Sequence, residues 1–164
     1  MEKNELFFKT VFCCMSCDGD IAPEEVELIR NVSKTDDTFK GLDVQTLLDK
    51  WVKEINNKGK LFLKTYLNEL SATELSKDEQ LKIVDLAIKV IEADNIIKYS
   101  EVSFFKKIRS SLSVSDEAIL KIHPDKEDFL LPDIMIKDDP IWAGDLHFDN
   151  IILNNIKLQD VSET

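Results

Sequence analysis

Leu6-Phe7-Phe8-Lys9-Thr10-Val11-Phe12-Cys13-Cys14-Met15 and Lys82-Ile83-Val84-Asp85-Leu86-Ala87-Ile88-Lys89-Val90-Ile91 are the same pattern written twice, 76 positions apart. Phe7 and Phe8 fall on Ile83 and Val84, Val11 and Phe12 on Ala87 and Ile88, and Cys14 and Met15 on Val90 and Ile91. Apolar residues on nearly every side of Lys3–Ser16 predict a buried helix. The register continues past each segment, with Ile21 on Ile97, Val26 on Val102, Leu28 and Ile29 on Phe104 and Phe105, and Val32 on Ile108. Between the paired helices lie Cys17-Asp18-Gly19-Asp20-Ile21 and Ala93-Asp94-Asn95-Ile96-Ile97, followed by Glu25 and Glu101. Gly and Asn tolerate a left-handed backbone better than other residues, so one turn geometry serves both copies. The repeat predicts two similar helix hairpins whose long buried helices pack near a pseudo-twofold axis.

Helical periodicity extends the reading to about seven helices in an all-α bundle. Pro23 suits the first position of a second helix, with Glu24 and Glu25 at its positive end. Asp43 caps a third, carrying Val44, Leu47, Leu48, Trp51, Val52 and Ile55 and stopped by Asn56-Asn57-Lys58-Gly59. A fourth runs over about Lys60–Leu70. Ser76-Lys77-Asp78-Glu79 is a capping box for the fifth, the sixth covers about Tyr99–Leu112, and Ser115 opens a seventh that ends before Pro124. Residues 1–122 thus form a helical domain, and residues 123–164 an acidic extension.

The extension holds ten acids against three lysines, seven of the eleven net negative charges of the 164-residue chain. Pro124, Pro132 and Pro140 forbid a helix through its first half. Its end repeats apolar residues every five positions (Leu146, Ile151, Ile156, Val161), which fits short pentapeptide-type coils or a β-hairpin turning at Asn154-Asn155. Neither buries a core alone, so the expectation is a tail lying along its own bundle rather than a partner-binding arm.

A net charge of −11 and a pI near 4.7 argue against nucleic acid as a partner, because duplex binding requires clustered cations. The apolar stretch Leu6–Cys17 is too short to span a bilayer, is broken by Lys9 and lacks a basic leader region, so no membrane insertion is expected. Cys13, Cys14 and Cys17 form an odd, clustered set that reads as reduced thiol in a cytoplasmic protein.

The duplicated turns resemble those of the TerB family of tellurite-resistance proteins: a small residue, Asp, Gly, any residue, an aliphatic residue, then Glu. Asp18, Gly19, Ile21 and Glu25 match throughout; Asp94, Ile97 and Glu101 match in the second copy, where Asn95 replaces Gly. The resemblance covers roughly residues 3–122 and implies an all-helical, stress-associated cytoplasmic module rather than a defined reaction.

Asp18, Glu25, Asp94 and Glu101 are the candidate site residues, with Asp20 and Glu24 peripheral. If the twofold brings both turns to one end of the bundle, their oxygens suit a hard divalent cation, Ca²⁺ or Mg²⁺. The alternative is local: each Asp bonds its own turn, and each Glu reaches back to the orphan amides of the helix it opens, compensating for poor caps at Ala22 and Lys98. The twelve-residue ligand order of an EF-hand is not present. Cys14 and Cys17 align with Val90 and Ala93, so the cysteines read as small core residues in preference to a zinc site or a redox centre. No phosphate-binding glycine loop, nucleophile elbow or His-Glu-x-x-His motif occurs. The expectation is a non-enzymatic module that binds a cation, a protein partner or both. The alternatives are a metal- or thiol-dependent enzyme acting on an oxyanion, and an adaptor that engages a basic partner through its acidic tail.

Overall fold

The computed structural model describes residues 2–17, 19, 21, 23–93 and 99–130. Among them the chain is all-helical, with seven α-helices and no strand: α1 Lys3–Ser16, α2 Pro23–Thr35, α3 Val44–Lys58, α4 Lys60–Ala72, α5 Lys77–Glu92, α6 Tyr99–Ser110 and α7 Asp116–Ile122. Two 3-10 turns, Asp37–Phe39 and Glu127–Leu130, complete it. The suggested β-hairpin or pentapeptide coils fall at 146–161, outside the described residues. No helix among the described residues is long and apolar enough to cross a membrane.

Helix boundaries follow side-chain chemistry. The Thr46 amide donates to Asp43 Oδ1 at 3.2 Å, which satisfies one orphan donor of α3. At Ser76 the capping box is complete: the Glu79 amide donates to Ser76 Oγ, and the Ser76 amide donates to Glu79 Oε1. Gly59 takes φ 60°, which lets α3 end and α4 begin within one residue. Gly19 takes φ 86° and donates its amide to Ser16 O at 2.9 Å, the left-handed stop foreseen for the first turn. Two ends shift from expectation: α4 runs on to Ala72, and α6 stops at Ser110.

α1 is the centre of the bundle, and every residue from Leu6 to Ser16 is buried. Its neighbours are α5, α4, α6 and the Asp37–Phe39 turn. Phe8 meets Phe39 and Trp51 at centroid distances of 5.3 and 5.8 Å. Phe12 meets Trp51 and Phe62 at 5.7 and 5.8 Å. Polar residues inside this helix find partners: Thr10 bonds Leu6 O and the Tyr66 hydroxyl (2.6 Å), and Ser16 donates to Phe12 O.

One ion pair joins the two repeats. Lys3 Nζ lies 3.0 Å from Glu79 Oε1, and these are equivalent positions of the two copies. The starts of α1 and α5 therefore meet, and α1 packs against α5. At the other end of α1, Cys17 Sγ lies 3.9 Å from Ser100 O near the start of α6.

Asp36 ties the Asp37–Phe39 turn to α5 through Lys82, and it accepts the Thr38 amide at 3.0 Å. Partial burial opposes the Asp36 charge, but the bonds from Lys82 and Thr38 outweigh it and hold the carboxyl below its ordinary value. A depressed carboxylate stabilises the fold above its unfolded pKa, and that contribution disappears as pH falls through the lower, folded value. Lys82→Ala is expected to cost about 1 kcal/mol or less at pH 7, and the deficit should shrink below pH 4. Urea titrations of both proteins between pH 7 and pH 2 check this; a deficit unchanged across that range would contradict it.

Candidate functional site

Glu25 and Glu101 occupy the third position of α2 and α6. Carboxylates are favoured there by the positive end of the helix. Both are buried, at 3% and 5% exposure, which is unusual for glutamate and sets them apart from exposed Glu24 beside Glu25. Both also act on one group in α1: the Cys14 thiol is pushed far up, first by burial, then by Cys13, Glu101 and Glu25. Two carboxylates 76 residues apart thus both contribute, through their charge, to the rise of the Cys14 thiol. A further contact joins the copies at this pole, where Cys17 Sγ lies 3.9 Å from Ser100 O.

Of the predicted set, Glu25 and Glu101 are described, both buried at the third positions of α2 and α6. Asp18, Asp94 and Asp20 lie outside the described residues, as do Ala22 and Lys98, through which the capping alternative runs. Cys17, Gly19 and Ala93, which flank the two turns, follow the ends of α1 and α5. Among the described residues no group of three or more His, Cys, Asp or Glu converges as metal ligands.

The cysteines are core residues. Cys13, Cys14 and Cys17 are all free thiols and all buried. Burial drives the Cys13 thiol well above its ordinary value; Lys9 opposes that rise and Glu69 adds to it. A protonated, enclosed thiol is a poor nucleophile. Labelling by a thiol reagent at pH 8 should therefore track global unfolding and accelerate by orders of magnitude in denaturant. A fast phase in the native protein would show an accessible thiolate instead.

One polar cluster escaped the sequence reading. Lys9 is buried in the middle of α1, 2.9 Å from Glu69 Oε1 on α4, with its ammonium 4.9 Å from the Phe62 ring centre and 5.9 Å from that of Trp51. The available signal was a lone lysine inside an otherwise apolar run.

The extension begins by folding back. His123 Nε2 lies 3.3 Å from Asp85 Oδ1, Lys126 Nζ lies 2.6 Å from Glu92 Oε2, and the Phe129 ring packs on Phe105 at 5.6 Å. Residues 123–130 are therefore docked on α5 and α6, as a tail lying along its own bundle would be; residues 131–164 lie outside the described residues.

Comparison of the chain with protein-family models, with curated proteins and with solved structures finds no match.

Proposed function

We propose that this chain is a non-enzymatic, cytoplasmic TerB-like helical module, associated with stress or tellurite resistance, that binds one divalent cation at the pole shared by its two acidic turns and presents the result to a protein partner. The reading is supported chiefly by one observation: Glu25 and Glu101, equivalent residues of the two copies, are both buried and both act on Cys14. Burying carboxylate charge is costly, and a bound cation offsets such a cost. Oxygen-only chemistry selects Ca²⁺ or Mg²⁺ over softer metals. Asp18 and Asp94, one per turn, complete the proposed ligand set, with Asp20 and Glu24 at its edge. Two contacts between the copies favour this: Lys3–Glu79 at the starts of α1 and α5, and Cys17–Ser100 between the end of α1 and the start of α6.

Calorimetry and native mass spectrometry with Ca²⁺ and with Mg²⁺ test the proposal. One ion per chain is expected, with affinity lost in the Asp18→Asn/Asp94→Asn double variant. Absence of binding, or unchanged binding in that variant, would overturn it and leave the carboxylates as helix caps.

A further inference from the structure

We propose that the outward side of the α3–α4 hairpin is a docking surface for the acidic segment 131–164 of the same chain. Neither the surface nor the segment includes Asp18, Glu25, Asp94 or Glu101, so the docking is independent of the proposed cation site. Between positions 50 and 64 the chain carries five lysines (Lys50, Lys53, Lys58, Lys60 and Lys64) against one acid, Glu54, in a protein of net charge −11. Trp51 of α3 and Phe62 of α4 both pack on Phe12 of α1, at 5.7 and 5.8 Å, so the remaining sides of these helices turn outward. Lys50, Lys53, Lys58 and Lys64 are exposed there, and Lys60 is half-buried. Gly59 joins the two helices within one residue, which keeps the lysines at the end of α3 close to those at the start of α4. Leu61 stands among them at 57% exposure, one of three large apolar side chains exposed among the described residues. The face is basic with an apolar point.

Segment 131–164 has the complementary composition. Its 34 residues hold seven acids against two lysines, together with fourteen large apolar side chains. That apolar content calls for cover, and the charge selects where the cover is found. The openings of α2, α5 and α7 each carry two acids and repel the segment. The lysines of α6, Lys106 and Lys107, are half-buried, and Arg109 is already paired with Asp116. The exit point favours the same surface. Phe129 packs on Phe105 of α6, and the adjacent Phe104 packs on Tyr66 of α4 at 6.2 Å, so the chain leaves Leu130 beside the helix that neighbours α4. A segment of this length extends to about 110 Å, several times the width of such a bundle. Docking of this kind keeps the one exposed lysine-rich face of an acidic protein covered until a stronger anionic surface competes for it.

The test uses the full chain. A carbodiimide joins lysine to carboxylate only where the two touch, and mass spectrometry of the digest identifies the pairs. Cross-links from Asp133, Asp138, Asp139, Asp145 or Asp149 to Lys50, Lys53, Lys58, Lys60 or Lys64 are expected, within single chains, at a yield unchanged by tenfold dilution and reduced by 0.5 M salt. Hydrogen exchange at 131–164 should quicken about tenfold in Lys53→Gln/Lys58→Gln/Lys64→Gln. It should stay within about twofold of native in Lys34→Gln/Lys77→Gln/Lys121→Gln, which removes three exposed lysines elsewhere. Cross-links from the segment to Lys106 and Lys107 instead, or equal exchange in the two triple variants, would overturn the assignment of this face. Cross-links found only between chains would make a second copy the occupant. Binding of the native chain to phosphatidylserine vesicles, lost in the Lys53/Lys58/Lys64 variant, would show the face open to a lipid surface and overturn the proposal as well.

Discussion

Truncation of Phe12 to alanine is expected to remove about 3–5 kcal/mol of folding stability, the largest loss of any single truncation in α1. Phe12 is completely buried and wedged between the Trp51 and Phe62 rings. Its removal forfeits the transfer energy of a phenyl group and leaves a hole bounded by two aromatic rings held on separate helices, which cannot both move in to fill it. The matching substitution in the second copy, Ile88→Ala, deletes a smaller side chain from an equally buried position and should cost about 2–4 kcal/mol. Urea unfolding followed by far-ultraviolet circular dichroism measures both. Since domains of this size hold about 5–15 kcal/mol in total, the Phe12 variant should be partly unfolded well below the native midpoint. A loss under about 1 kcal/mol would mean that α1 is not the central helix.

Glu69→Ala comes next, at about 3 kcal/mol, because it strands a buried ammonium. The Lys9 side chain is 7% exposed, and Glu69 is its salt-bridge partner. The two aromatic rings beside Lys9 supply cation–π attraction, but less than the energy needed to desolvate a charge. The double variant Lys9→Met/Glu69→Leu should recover most of the loss, since an apolar pair of similar volume carries no desolvation cost. If the double variant is as unstable as Glu69→Ala alone, Lys9 contributes through packing of its stem rather than through its paired charge. The same denaturation experiment separates these outcomes, with Trp51 fluorescence reporting on the site directly.

The parts that were legible in the sequence share a cause: they depend on periodicity or on local capping chemistry. Seven helices, the capping box at Ser76 and the glycine stops at Gly19 and Gly59 are all set by residues within a few positions of one another. The 76-residue repeat went further, because duplication turns a tertiary fact into a pattern: equivalent residues Glu25 and Glu101 are both buried at the starts of α2 and α6, and equivalent Lys3 and Glu79 touch. The Asp37–Phe39 turn was missed because three residues carry no period, and only the tertiary packing of Phe8 on Phe39 reveals its purpose. Lys9 was read as an interruption of an apolar run, since its partner Glu69 is 60 residues away on another helix. The Thr10–Tyr66 bond, 56 residues apart, escaped for the same reason. Pairings of this kind are fixed by how helices cross, and a single sequence carries no record of the crossing.

On the proposed reading, the two duplicated acidic turns act as one site. Its most direct test is a double-mutant cycle on Ca²⁺ affinity with Glu25→Gln, Glu101→Gln and the double variant, read by calorimetry. If both carboxylates bear on one ion, each single substitution should remove most of the affinity, and the double variant should be little worse than either. Losses that simply add, or Ca²⁺ binding that ignores both residues, would contradict the account and return Glu25 and Glu101 to separate duties at the starts of their own helices.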